Sequence, residues 1–198
     1  MKIIGLCGGS GSGKGTVASL FAERGILHID TDEVYHRLTS GKPPCLDELC
    51  YAFGEGILAA DGALDRKALS EIVFSGEGSK ARARLNAISH RHVLDEVRKI
   101  IKYADGKYPA VLVDAPLLFE SGFDTECDLV VAVTAKREHR IQRIISRDNI
   151  TLEAAERRID TQISDCELIS RADFVIANDS DVESLKGAVD EILTKINA

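Results

Sequence analysis

Between an apolar run, Ile3-Ile4-Gly5-Leu6-Cys7, and apolar residues at helical spacing, Val17, Ala18, Leu20, Phe21 and Ala22, lies Gly8-Gly9-Ser10-Gly11-Ser12-Gly13-Lys14-Gly15-Thr16. From Gly8 to Lys14 this stretch fits a glycine, four residues and then Gly-Lys. It sits between a predicted strand and a predicted helix, the context the pattern requires. Glycines allow backbone conformations that a β-carbon forbids, so successive N–H groups can converge on one anion. The positive end of the following helix points to the same place. The stretch reads as a phosphate-binding loop in which Lys14 supplies a mobile charge for the outer phosphates.

The residue after the lysine is Gly15, where a Ser or Thr commonly offers its hydroxyl to Mg²⁺, and the hydroxyl comes one position later at Thr16. This Gly-Lys-Gly-Thr ending looks like the loop of the adenylate-kinase group. Mg²⁺ is therefore expected to be held mainly by nucleotide phosphates and water, which suits an ion that keeps much of its hydration shell. The nucleotide-binding set is Gly11, Ser12, Gly13, Lys14, Gly15 and Thr16.

A chain of 198 residues suits one core domain with subdomains inserted into it. A net charge of −7 argues against a nucleic-acid or membrane surface as the main partner, so a bound anion needs a local cluster of positive groups. The few residues before the glycines are too short for a signal peptide, and no apolar run approaches a membrane span. Cys7, Cys45, Cys50, Cys127 and Cys166 contain no Cys-x-x-Cys pair and fit neither a disulfide framework nor a zinc site. They read as reduced thiols of a cytoplasmic protein acting on a small molecule.

Ile26 to Asp30 reads as a second strand ending in Asp30-Thr31-Asp32-Glu33, carboxylates at the edge where open α/β sheets bind ligands. Either Asp32 or Thr31 caps the helix that follows, or Asp32 has a chemical role; the sequence pattern leaves both open. Residues 39–106 carry little strand signal: Gly41-Lys42-Pro43-Pro44 breaks the chain, and helices are expected at 46–53, from Asp65 to Phe74, and at 79–103. A helical block between two strands is a natural substrate-binding insertion, and His90 lies on its long helix.

Ala110-Val111-Leu112-Val113-Asp114 has the uninterrupted apolar character of a fully buried parallel strand and ends in an acid. Asp114 is placed to act on Mg²⁺, directly or through bound water. Leu117, Leu118 and Phe119 in the next loop need an apolar partner, such as a bound substrate or a packed insertion. Leu129 to Thr134 is another strand. After it, Arg140, Arg143 and Arg147 recur on one helical face, and Arg157, Arg158 and Gln162 follow. In an acidic chain this stripe reads as a lid whose arginines close on a phosphoryl group. Asp173 to Asn178 is a last strand, and a helix from Val182 to Ile196 closes the chain. Strands alternating with helices give a parallel sheet covered on both faces.

Taken together, these residues resemble the dephospho-CoA kinase family along essentially the full length. The resemblance rests on Gly8–Thr16, Ile29-Asp30-Thr31-Asp32, Gly62, Asp65, Arg66, Leu69, Leu85, Ile88 and His90. It continues with Asp114-Ala115-Pro116-Leu117-Leu118-Phe119-Glu120-Ser121-Gly122, Gln142-Arg143, Arg147-Asp148, Gln162, Ala172-Asp173-Phe174-Val175-Ile176 and Asn178. It implies a P-loop kinase fold: a five-stranded parallel sheet sandwiched by helices, with core segments 1–32, 107–137 and 171–198, a helical acceptor-binding insertion over about 33–106 and a helical lid over about 138–170. It implies ATP as co-substrate, Mg²⁺, and phosphorylation of the ribose 3′-hydroxyl of dephospho-CoA. Asp32, Lys14, Arg143 and Arg147 would be catalytic, and Asp32, His90, Leu117, Leu118 and Phe119 would meet the acceptor. The alternative, a nucleoside monophosphate kinase, resembles this chain in its loop but carries Asp-Gly-Phe-Pro-Arg where this sequence has Asp114-Ala115-Pro116-Leu117.

Overall fold

The computed structural model describes residues 1–40, 43–74 and 78–197, so Gly41 and Lys42 of the expected chain break lie outside the described residues. The chain divides into two compact units, Met1–Ile29 with Ala104–Ala198, and Asp30–Tyr103.

The first unit is built on a sheet of β1 (Lys2–Cys7), β2 (Leu27–Asp30), β3 (Ala110–Asp114), β4 (Leu129–Thr134) and β5 (Phe174–Ala177), in the order β2-β3-β1-β4-β5. β1 runs parallel to β3 and β4, and β4 parallel to β5, which bears out the expected parallel sheet. Every residue of β3 and the last four of β1 are buried, because these central strands are covered on both faces, whereas β5 at the edge leaves Val175 exposed. One face is covered by α1 (Lys14–Glu23) and α9 (Val182–Asn197), where Val17, Ala18, Phe21, Leu185 and Val189 pack on Ile4, Leu6, Leu112, Val131 and Val133. On the other, the missing side chain of Gly5 makes room for the 115–122 loop: a β-carbon there would stand 2.9 Å from both Leu118 Cδ2 and Cys127 Sγ.

The strand order reverses at β1, whose neighbours β3 and β4 both follow it in sequence, so the crevice for a ligand opens at the carboxyl ends of these strands. Register aligns Leu6 with Asp114 and Thr134 with Ala177, which brings the glycine loop, Asp114 and Asn178 to one edge. Beyond β4 come α6 (Arg137–Asp148), α7 (Leu152–Asp160) and α8 (Asp165–Arg171). Ile144, Ala155 and Ile159 form a small core between α6 and α7, and Asn149, in the left-handed conformation, ends α6.

The second unit comprises α2 (Thr31–Leu38), α3 (Pro44–Phe53), α4 (Arg66–Phe74) and most of α5 (Gly78–Ala104). Cys45, Leu46, Leu49, Ile57, Leu64, Leu69, Val73 and Ile88 form its core. Glu48 of α3 ties to α5 by accepting from Arg91 and lying 2.9 Å from His92 Nε2. Among the described residues no helix is long and apolar enough to cross a membrane, and all five cysteines are free.

Candidate active site

The loop after β1 turns sharply because Gly11 and Gly13 adopt φ of +76° and +91°, values that a β-carbon strongly disfavours. Each glycine also leaves space that a neighbour fills. A β-carbon on Gly13 would collide with the Asn178 amide, one on Gly9 with the Arg140 guanidinium, and one on Gly11 would come within 2.6 Å of the Arg140 carbonyl oxygen. The loop is thus packed from outside while its inner N–H groups stay open. Among the described residues no protein group accepts from the backbone N–H of Gly11, Gly13, Lys14 or Gly15. These open donors stand at the N-terminus of α1, an arrangement suited to phosphate oxygens. Among the described residues nothing satisfies the buried Ser12 Oγ, which has no hydrogen-bond partner there.

Lys14 Nζ donates to Asp114 Oδ1. Asp114 is 4% exposed, and His28 Nε2 lies 3.5 Å from its other oxygen. Burial works against ionisation of this carboxyl, but the His28 ring and the Lys14 ammonium outweigh it and hold its pKa below the ordinary value. A buried acid at the foot of the loop is therefore ionised and has a positive partner in place.

The arginine stripe divides into three different roles. Arg140, expected to join a lid face, is instead 4% exposed. It donates from Nε to the Ser10 carbonyl (2.9 Å), from Nη1 to Asp165 (2.9 Å) and from Nη2 to Gln162 Oε1 (3.2 Å). Arg143 also turns to the loop: Nη1 donates to the Gly11 carbonyl (3.1 Å) and Nη2 to the Asn178 carbonyl (3.0 Å). Arg147 stays on the surface, forked onto Asp148 at 2.7 and 2.9 Å, and Arg158 joins the same carboxylate. A face shared by three arginines does not settle which of them the loop already occupies.

A model of the family described as dephospho-CoA kinase matches residues 2–184. A dephospho-CoA kinase of Corynebacterium glutamicum is 38% identical over 202 residues, covering 100% of both chains. One of Fusobacterium nucleatum is 40% identical and covers 93% of each. The chain belongs to the dephospho-CoA kinase family. Among solved structures, a Thermus thermophilus protein is similar with a TM-score of 0.84 at 30% identity, covering 98% of this chain and 97% of its own. The dephospho-CoA kinase of Campylobacter jejuni gives 0.72 at 26% identity, covering 99% and 98%. A shikimate kinase of Acinetobacter baumannii gives 0.58 at 21% identity over 99% and 93%, a likeness of fold alone.

The residues that the resemblance to the dephospho-CoA kinase family assigns to the acceptor lie in both units. Asp32 is exposed in the first turn of α2, but the cap is Asp30, whose Oδ1 accepts from the N–H groups of Asp32 (2.8 Å) and Glu33 (3.2 Å). This corrects the expectation that Asp32 or Thr31 caps the helix. His90 is partly buried on α5. Leu117 is 43% exposed, Phe119 is 8% exposed beneath the Arg171 guanidinium at 3.9 Å, and Leu118 is fully buried over Gly5. Of these three, Leu117 offers the most surface to a ligand, while Leu118 packs the loop on the sheet.

Residues outside the expected catalytic and binding sets also shape the loop and its surroundings. Gln162 accepts from the Ser10 N–H, Asn178 Nδ2 donates to the Ser12 carbonyl at 2.8 Å, and His28 lies beside Asp114. Gly9, where a β-carbon would stand 3.2 Å from Gln162 Oε1, carried a faint signal for the first, since glycines within a loop permit close approach from outside as well as inside.

Proposed function

We propose that this chain transfers the γ-phosphoryl group of ATP to the ribose 3′-hydroxyl of dephospho-CoA, giving coenzyme A and ADP. The observation that carries the reading is the row of unsatisfied N–H groups at Gly11, Gly13, Lys14 and Gly15 beside the Lys14–Asp114 pair, in a chain of the dephospho-CoA kinase family. In the reaction the bond between the γ-phosphorus and the β–γ bridging oxygen breaks, a bond from phosphorus to the 3′-oxygen forms, and the hydroxyl proton leaves to a base. Asp32 is that base, and its role needs only an ionised carboxylate within reach of the acceptor hydroxyl.

The loop N–H groups and Lys14 hold the β and γ phosphates, with Gly11, Ser12, Gly13, Gly15 and Thr16 as the lining. Lys14 leaves Asp114 for the phosphates as ATP enters. Arg147 supplies positive charge as the phosphoryl group moves, and Arg143 fixes the loop from behind while adding to the local field. Leu117 and His90 meet the acceptor, and Phe119 lines that side from beneath.

The donor set also fits Mg²⁺. Among the described residues no group of three or more His, Cys, Asp or Glu side chains could hold a metal ion. A single ionised carboxylate, Asp114, with the Thr16 hydroxyl nearby in sequence, suits an ion held mainly by phosphate oxygens and water. Bound there, Mg²⁺ would neutralise charge on the β and γ oxygens.

The test is a coupled ADP-release assay with ATP and, in turn, dephospho-CoA, AMP, CMP and pantothenate. Turnover is expected with dephospho-CoA alone. Turnover with AMP in its absence would move the chain to the nucleoside monophosphate kinases.

A further inference from the structure

Every polar group of Ser10 is held from outside the phosphate loop. Its N–H donates to Gln162 Oε1 at 2.9 Å, its Oγ accepts from Gln162 Nε2 at 3.0 Å, and its carbonyl accepts from Arg140 Nε at 2.9 Å. The two gripping side chains are themselves joined, Arg140 Nη2 donating to the same Gln162 Oε1 at 3.2 Å. Arg140 is anchored further by Asp165 at 2.9 Å and by near-complete burial. The grip is also exclusive, because the guanidinium fills the space that a side chain on Gly9 would need.

We infer that Gln162, with Arg140 behind it, is a positioning residue for phosphoryl transfer. It fixes the Ser10 peptide so that the N–H groups of Gly11, Gly13, Lys14 and Gly15 are already aimed when nucleotide arrives. The inference rests on the reading of this loop as the ATP phosphate site. Its physical basis is preorganisation: donors held in place before binding do not have to be ordered by the ligand. A glycine-rich segment has the most backbone freedom to lose, so it gains most from an external clamp. Gln162 lies at the turn between α7 and α8, and it therefore ties the conformation of the loop to that of the helices that follow β4.

Full-length protein carrying Gln162→Leu, which keeps the bulk of the side chain and removes both of its bonds to Ser10, tests this. Inorganic tripolyphosphate is the probe, titrated by calorimetry without acceptor. Its affinity is expected to fall by about tenfold, the scale of one or two lost hydrogen bonds. The KM for ATP should rise in parallel while the KM for dephospho-CoA stays put. Gln162→Glu, which keeps an acceptor for the Ser10 N–H, should restore most of the affinity. Tripolyphosphate binding within twofold of the parent, or equal rises in both KM values, would overturn the inference.

Hydrogen exchange on the unaltered protein gives a second reading should the leucine variant fail to fold. The Ser10 amide should be protected without ligand, whereas the Gly11, Gly13 and Lys14 amides gain protection only with tripolyphosphate. A Ser10 amide that exchanges freely before tripolyphosphate is added sinks the inference. If the parent binds tripolyphosphate but does not phosphorylate dephospho-CoA, the acceptor assignment fails and the clamp is still measurable.

Discussion

Asn178 donates from Nδ2 to the Ser12 carbonyl at 2.8 Å, and it occupies the space where a side chain on Gly13 would have to go. The end of β5 thereby sets the shape of a loop that follows β1. Gly13→Ala should be doubly penalised, by its φ of +91° and by the collision with Asn178. A loss of about 2–4 kcal/mol in urea unfolding is expected from strained backbone and overpacking, along with a raised KM for ATP. Gly15→Ser is the contrast: nothing lies within 4 Å of a β-carbon there, so stability should be nearly unchanged.

Asp32→Asn should retain ATP binding and lower turnover by roughly 10²–10⁴-fold, the range for a lost general base. Because Asp30 is the cap, this variant should leave the start of α2 capped. Asp30→Ala should show the converse on stability, a loss of about 1 kcal/mol from the missing cap. Calorimetric unfolding of both variants, with rates beside it, separates the two acids, and unaltered turnover in Asp32→Asn would remove the base from the proposed reaction.

Arg143 and Arg147 should part company in the same way. Arg147→Ala removes an exposed ion pair of little structural worth, so turnover should fall on the order of 10³-fold with the unfolding midpoint almost constant. Arg143→Ala leaves the Gly11 and Asn178 carbonyls without their donor, and a loss of about 1–3 kcal/mol should accompany its fall in rate. Asp148 is held down to about 2 by its hydrogen bonds from Arg147 and then Arg158. The Arg147–Asp148–Arg158 cluster should therefore persist through any ordinary assay pH, and a rate profile that tracked its titration would contradict this.

The Asp114 carboxyl gives a pH signature. Its folded pKa lies below the unfolded value, so its contribution to stability is present above the unfolded value, near pH 4, and is lost as pH falls through the folded one. Lys14→Met strips the ammonium partner from a buried charge. Denaturant titrations should show the variant weakened most at neutral pH, with the gap to the parent narrowing below about pH 4. A gap that is constant with pH would mean that the Lys14–Asp114 pair contributes nothing to folding.

Burial pushes the thiols of Cys7 and Cys127 up to about 12 and that of Cys45 to about 11. Only thiolate reacts with iodoacetamide, so at neutral pH exposed Cys166 should label first and these three only on unfolding. Peptide mapping after timed labelling checks the order.

The parts of this chain that were legible in sequence are those fixed locally. The glycine loop announces itself because strand, turn and helix are contiguous, and β3 and β4 because a strand buried on both faces must be apolar at every position. The start of α2 was half legible: Asp30-x-x-Glu33 has the capping spacing, but the cap was sought only at Thr31 or Asp32, with a chemical role for Asp32 left open beside it. Ser164-x-x-Glu167 likewise marks α8, a helix too short for periodicity to reveal, and its cap is the 3.2 Å bond from the Glu167 N–H to Ser164 Oγ. The fate of the arginine stripe was not legible. Helical spacing puts Arg140, Arg143 and Arg147 on one face, but the acceptors of Arg140 lie at Ser10, Gln162 and Asp165, and no local pattern connects those positions. Asp114 was foreseen from its place at the end of a buried strand, whereas His28 gave no sign of facing it.

The close seating of Leu118 and Cys127 over Gly5 carries a lesson for redesign. Those three positions behave as one locus: enlarging the first demands that one of the other two shrink. An attempt to retune acceptor preference through the segment from Ala115 to Gly122 has most freedom at its outward member, Leu117, and least at Leu118, where randomisation would select for repacking the sheet before it could select for a new substrate.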